Sequence, residues 1–267
     1  MSNRTHTLAF FPGSNLVLVV ALVAGGCTGT DVGNPRVDID VSLYDSTTSQ
    51  VASEAGASAA VSPGARAVPA GFTIDQAWVA IDRIRLRDAA DCDGSSEIEL
   101  EGPFAIDMLA PDALAALRDV EVPALGYCRF ELRWSPFDEP VPGGVPAEIA
   151  DASLLLLGER GDGTPVILRS ERNDELRLDA RDGSFTIDET TPGLVVGLDA
   201  AVVLDGLDID GAVVSGDGTI RIESGSNDDL LSRFDRNLAD AVKLFDDDDG
   251  DGLLGRGEFD EDDILAD

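Results

Sequence analysis

The chain has 267 residues, 43% of them hydrophobic, and carries 52 Asp and Glu against 19 Lys and Arg, a formal charge of −33 at neutral pH. That length supports one large or two modest domains with an apolar core, and the acidic balance repels phosphate backbones, which excludes nucleic acid as a partner. The only histidine is His6 and the only lysine is Lys243. Imidazole triads, His-ligated zinc and His general bases are therefore excluded from everything after position 6, leaving carboxylates, Arg, Tyr and one Lys for any chemistry.

Residues 1–26 have the three parts of a secretory signal: a polar start with Arg4, an apolar run from Leu16 to Val23, and the small residues Ala24, Gly25 and Gly26. A run that short does not span a bilayer as a helix, so export followed by cleavage is expected. The segment Leu22-Val23-Ala24-Gly25-Gly26-Cys27 resembles the lipobox of bacterial lipoproteins. The resemblance implies that Cys27 accepts a diacylglyceryl group and becomes the mature N-terminus, with membrane attachment through that anchor. Thr28, being other than Asp, then implies sorting to the outer membrane, at the cell surface or facing the periplasm. The alternative is an ordinary secretory signal that leaves Cys27 as a free thiol. Cleavage after Gly26 leaves 241 residues and a formal charge of −34, because Arg4 is the one charged residue removed.

Cys27 to Arg36 is mostly small and polar, the composition of a tether. Val37, Ile39, Val41 and Leu43 alternate with Asp38, Asp40 and Ser42, which predicts a half-buried strand. Residues 46–71, rich in Ser, Ala, Gly and Pro, are expected as a flexible insert. From Phe72 the alternation returns, with Phe72, Ile74, Trp78, Ala80, Ile84 and Leu86 on one parity and Arg83, Arg85 and Arg87 on the other. Asp82 breaks the parity, through a bulge near it or because Ala77 to Ile81 is buried on both faces.

Ile98 with Leu100, then Phe104, Ile106 and Met108, continue the pattern, and Pro111 to Leu117 is expected to make a helical turn or two. Cys128, Phe130, Leu132 and Trp134 alternate with Tyr127, Arg129, Glu131 and Arg133, placing Cys128 on the apolar face of a core strand. Cys92 and Cys128, 36 residues apart, form a disulfide in an oxidising compartment or remain two buried thiols.

Short runs at 152–157, 166–168, 176–178, 185–187, 194–204 and 219–222 follow, with a hairpin connection at 159–164. Many short strands with frequent turns predict a mainly β protein, an antiparallel β-sandwich over residues 37–224. A C-terminal segment, 225–267, follows it. There Ser226-Asn227-Asp228 supplies a cap, and Leu230, Leu231, Phe234, Leu238, Ala241, Val242 and Phe245 share one face of a helix expected to run from about Asp228 to Phe245.

The strand VDIDVSLYD, the segment AWVAIDRIRLRD from Ala77 to Asp88, and the pair AIDML and VPALGYCRFELR between Ala105 and Arg133 resemble a family of bacterial secreted lipoprotein domains with a transthyretin-like or prealbumin-like sandwich. The resemblance covers Val37 to about Leu207. It implies a fold and an address, and carries over no catalytic residue.

Residues 247–258 read DDDGDGLLGRGE, which fits the twelve-position EF-hand loop. Calcium takes six to eight oxygens in a flexible shell. Asp247, Asp249 and Asp251 at positions one, three and five turn carboxylates inward, Gly252 at six permits the sharp bend, Leu253 at seven offers its carbonyl, and Glu258 at twelve closes the shell bidentately. Gly255 at nine has no side chain, so water is expected there, and Leu254 at eight is the apolar residue that packs on a partner loop. No second loop is visible in the sequence. Weak affinity, about 10⁻⁴ to 10⁻³ M, is therefore expected, with calcium ordering the preceding helix. Asp205–Gly211 and Asp91–Gly94 read as turns.

The leading functional reading is a non-enzymatic calcium-binding lipoprotein that acts as a structural or partner-binding module, with a protein partner docked through the calcium loop as one form of it. The alternative is an extracytoplasmic hydrolase, such as a glycosidase, working through two carboxylates. Nothing in the sequence singles out such a pair.

Overall fold

The computed structural model describes residues 34–47, 66–68, 71–94, 98–110, 114–137, 140–254, 258 and 264–267. The expected signal, Cys27 and most of the 46–71 insert lie outside them. In chain order the strands are β1 (Arg36–Tyr44), β2 (Arg66–Val68), β3 (Phe72–Asp88), β4 (Ile98–Asp107), β5 (Val120–Glu121), β6 (Gly126–Trp134), β7 (Leu154–Arg160), β8 (Pro165–Ser170), β9 (Glu175–Asp179), β10 (Phe185–Thr186), β11 (Gly193–Asp199), β12 (Ile220–Ile222), β13 (Val242–Asp246) and β14 (Ile264–Ala266). The α-helices include α1 (Ala200–Val203) and α2 (Asp228–Ala241).

The expected sandwich is present. A small sheet runs β14-β13-β11-β1-β5, and a large one runs β10-β6-β3-β7-β8-β12, with β2 and β4 paired to β3 and β9 to β6. Alternate residues of both sheets enter one core: Val37, Ile39, Val41, Leu43, Leu194, Val196 and Leu198 from the small sheet meet Ile84, Leu86, Phe130, Leu132, Leu154 and Leu156 from the large one. The sandwich is not antiparallel throughout. β1 pairs with β11 in parallel, and β8 with β12 likewise. Long crossing connections through the opposite sheet make those parallel neighbours possible.

Both readings of the Asp82 irregularity hold. The pairing of β3 shifts register between Ile81 and Arg83, and again between Ile74 and Gln76. Between these two bulges the core parity is inverted, so Ala77, Val79 and Ile81 enter the main core. Ala80 and Trp78 face the other way, into a second apolar cluster with Ala105, Phe137, Ile149 and Leu155. A third shift, at Arg87/Asp88, puts Tyr127 into the core although strict alternation assigns it to the polar side. Its hydroxyl donates to the Pro123 carbonyl at 2.8 Å, which removes the cost of burying it.

Two expectations at the ends of the domain are corrected. Residues 66–68 of the supposed insert form β2 and pair antiparallel with β3. More important for function, helix α2 stops at Ala241, and Val242–Asp246 is a strand paired antiparallel to β11. Phe234, Leu238 and Ala241 bury the apolar stripe of α2 as expected. Leu244, apolar but off that helical stripe, goes to the core with Val242, while Phe245 faces the other side. Asn227 begins the helix with φ 53°, and its side chain bonds Val213 and Arg221 instead of capping the helix. The C-terminal segment is thus part of the sandwich, supplying β13 and β14 to the small sheet.

Cys92 and Cys128 are joined in a disulfide with Cα atoms 6.0 Å apart. The bridge ties the turn after β3 to the start of β6, and the 91–94 segment is the turn expected beside it.

Candidate metal centre

The DDDGDGLLGRGE segment begins directly after β13, and its entering arm is therefore a strand, with β14 pairing back onto β13 beyond it. The flanking helices of an EF-hand are absent from the described residues here, yet the first half of the loop has the expected bend. Asp247 Oδ1 accepts the Gly250 amide at 3.0 Å and its Oδ2 accepts the Gly252 amide at 3.0 Å. The Asp251 amide donates to Asp249 Oδ1 at 3.2 Å, and the Leu253 amide to Asp251 Oδ1 at 2.8 Å. Gly250 and Gly252 have φ of 71° and 73°, conformations that side chains disfavour, which is why glycine stands at both positions.

The loop folds onto the outer face of the small sheet. Gly193 and Gly197 on β11 leave the room: a Cβ on Gly193 would lie 2.8 Å from Asp247 Oδ2, and one on Gly197 2.6 Å from Leu254 Cδ1. The Asp247 amide donates to the Gly193 carbonyl, 3.1 Å, which continues the sheet into the loop. Leu254 packs against Tyr44, Phe245 and Ile264, with the Tyr44 and Phe245 rings edge to face at 5.6 Å. The apolar residue that would meet a partner loop is thus received by the chain's own sheet.

Of the five residues expected at the metal, the fold brings three carboxylates together. One oxygen from each of Asp247, Asp249 and Glu258 lies within 4.8 Å of the other two. That is the span of two oxygens across one calcium ion at about 2.4 Å each. Asp247 and Glu258 are buried and Asp249 is exposed. Asp251 is outside this trio, exposed and engaged with the Leu253 amide, and Leu253 is half-buried. Burial pushes the Asp247 carboxyl up, against the pull of the Gly252 and Gly250 amides, and Asp251 and Asp249 push it further.

A fourth carboxylate, outside this trio, borders the loop and was not legible in the sequence as its neighbour. Asp40 on β1 lies under the loop, 2% exposed, and a Cβ on Gly252 would come within 2.7 Å of its Oδ2. Burial raises its carboxyl to about 6, opposed by Arg118 and reinforced by Asp247, Asp38 and Asp251. Sequence alternation places Asp40 on the polar face of its strand, and such a face is normally solvated. The residues that cover it come some two hundred positions later, so no local signal marks it.

The arrangement is a set of carboxylates, chemistry suited to a hard divalent cation. By contrast, the depression lined by Trp134, Arg172, Asp174, Leu176 and Leu238 offers a single carboxylate, Asp174, held by Arg172. Gly197 provides a check on the mounting of the loop. Gly197→Val forces its Cβ into Leu254, Phe245 and Tyr44, and overpacking of this kind costs about 1–3 kcal/mol. Thermal melts should show that loss together with weaker calcium binding, and an unchanged variant would mean that the loop does not rest on β11.

No family model, curated protein or solved structure matches the chain. The fold and site define a β-sandwich with a carboxylate loop laid over its smaller sheet.

Proposed function

We propose that the protein is an exported, lipid-anchored, calcium-binding β-sandwich that works without catalysis, as a structural or partner-binding module at the bacterial envelope. The observation that carries the calcium reading is the approach of Asp247, Asp249 and Glu258 oxygens to within 4.8 Å of one another in a loop with EF-type spacing. Calcium fits this set better than magnesium, whose small octahedral shell is ill suited to a bidentate carboxylate. Calorimetry with calcium chloride on the chain from Thr28 onward, which retains the compact unit Asn34–Asp267, tests it. Saturable binding below about 10 mM is expected, and its absence would refute the reading.

The anchor rests on the lipobox-like segment before Cys27, and the described residues contain no helix long and apolar enough to cross a membrane. Cys27→Ser should move the protein from the detergent phase to the aqueous phase and leave the precursor uncleaved by the lipoprotein-specific peptidase. A wild-type protein without added acyl mass would remove the anchor from the proposal.

A further inference from the structure

The outer face of β1 holds a carboxylate that the protein's own contacts do not satisfy. Asp40 is 2% exposed, and neither of its oxygens has a hydrogen-bond partner. Arg118 Nη1 sits 2.6 Å from Asp38 Oδ2 but 3.8 Å from Asp40 Oδ2, so the close partner of that guanidinium is Asp38. The Asp119 amide, 2.8 Å from Asp38 Oδ1, adds to the same neighbour. A buried ionised carboxylate in this state is several kcal/mol unfavourable unless a cation joins it or it takes up a proton.

Its position says which cation. The carboxylate lies against the turn at Gly252, whose amide bonds Asp247 Oδ2, and a Cβ on Gly252 would come 2.8 Å from Asp40 Cγ. The loop, for its part, is one side chain short, because position nine is Gly255. A buried carboxylate that makes no hydrogen bond, and whose one ion pair, to Arg118, is long at 3.8 Å, thus meets a calcium loop without a side chain at position nine.

Building on the calcium reading above, we infer that Asp40 completes the carboxylate set of the site in place of the missing position-nine side chain, so that one ion is held jointly by the 247–258 loop and by strand β1. The ion then ties the first strand of the domain to its C-terminal hairpin. Such a site is preorganised on a sheet, and its affinity exceeds that of a lone loop in solution.

The test uses the chain from Thr28 onward with calcium chloride in calorimetry, and terbium luminescence lifetimes in H₂O and D₂O to count bound waters. Asp40→Asn keeps the shape and removes the charge, and it should unfold cooperatively at or above the calcium-free midpoint of wild type. Its calcium affinity should fall at least about tenfold, and bound terbium should gain one water. A smaller loss, or an unchanged water count, overturns the role of Asp40. Two failures are separable. If wild type binds calcium, Glu258→Gln does not and Asp40→Asn binds as wild type, only the Asp40 inference falls; if wild type binds none, the calcium reading falls and takes this inference with it.

Discussion

Calcium at about a hundred times its dissociation constant should raise the unfolding midpoint of the chain from Thr28 onward by about 5–10 °C. A ligand that binds only the folded state contributes about 2.7 kcal/mol at that excess, and for a domain of this size each kcal/mol moves the midpoint by about 2–4 °C. The folded state is where the site exists, because Asp247 and Glu258 are buried there beside Asp249 and all three belong to a loop laid on the sheet. Glu258→Gln keeps the side-chain shape and removes the charge that closes the shell, so the calcium-dependent shift should nearly vanish. Asp247→Ala should abolish the shift too, and it should also lower the calcium-free midpoint, since the Gly250 and Gly252 amides lose their acceptor. Leu253→Val should be close to silent, because position seven contributes a backbone oxygen. Differential scanning calorimetry with and without calcium decides this, and a Glu258→Gln variant that still shifts like wild type would remove Glu258 from the site.

Calcium addition also distinguishes the observed strand from a helix running to Phe245. A helix running to Phe245 would gain helicity as calcium ordered it. In the structure α2 ends at Ala241, and β13, paired with β11 along its length, stands between helix and loop. Far-UV circular dichroism should therefore stay nearly constant on calcium addition. Amide exchange should slow instead in β13 and β14 and in the loop between them.

What could be read in the sequence was whatever a single strand or loop encodes locally. Alternation located the core strands and, at Asp82, even the defect in one of them, because a bulge displaces the pattern where it occurs. The spacing of Asp, Gly and Glu in residues 247–258 marked the loop for the same reason: those residues answer to one ion and one bend. The Val242–Asp246 strand was hidden by a coincidence of periods, since Ala241, Val242 and Phe245 fit a helical stripe and only Leu244 departs from it. Partnership across the chain was not legible. That Asp40 and Tyr44 lie under the C-terminal loop depends on β1 lying parallel to β11 with β13 beyond, an order of strands that no local pattern carries. Gly193 and Gly197 belong to the same class: as residues they look like loosened strand, and only the covering loop explains them.

Removing the Cys92–Cys128 bridge should cost about 4 kcal/mol, on the chain-entropy estimate for a closed loop of this length, and lower the midpoint by about 8–16 °C. The 36-residue separation encloses β4 and β5, and in the unbridged unfolded chain that whole segment is free to wander from β6. In the native state little else changes, because β3 and β6 already hold their register from Ile81 to Asp88 through backbone pairing, and Phe130 and Leu132 lock it from the core side. The Cys92→Ala, Cys128→Ala double variant should therefore keep the native fold and its calcium binding while losing stability. Its denaturant dependence should steepen, since an unbridged unfolded chain exposes more surface. Each single variant should behave like the double one, apart from the free thiol it leaves. Equilibrium urea unfolding of the three variants beside wild type measures the loss, and mass spectrometry of unreduced peptides measures the bridge itself. Two alkylatable thiols in freshly isolated native protein, or a double variant as stable as wild type, would show that the bridge does not constrain the unfolded chain as argued.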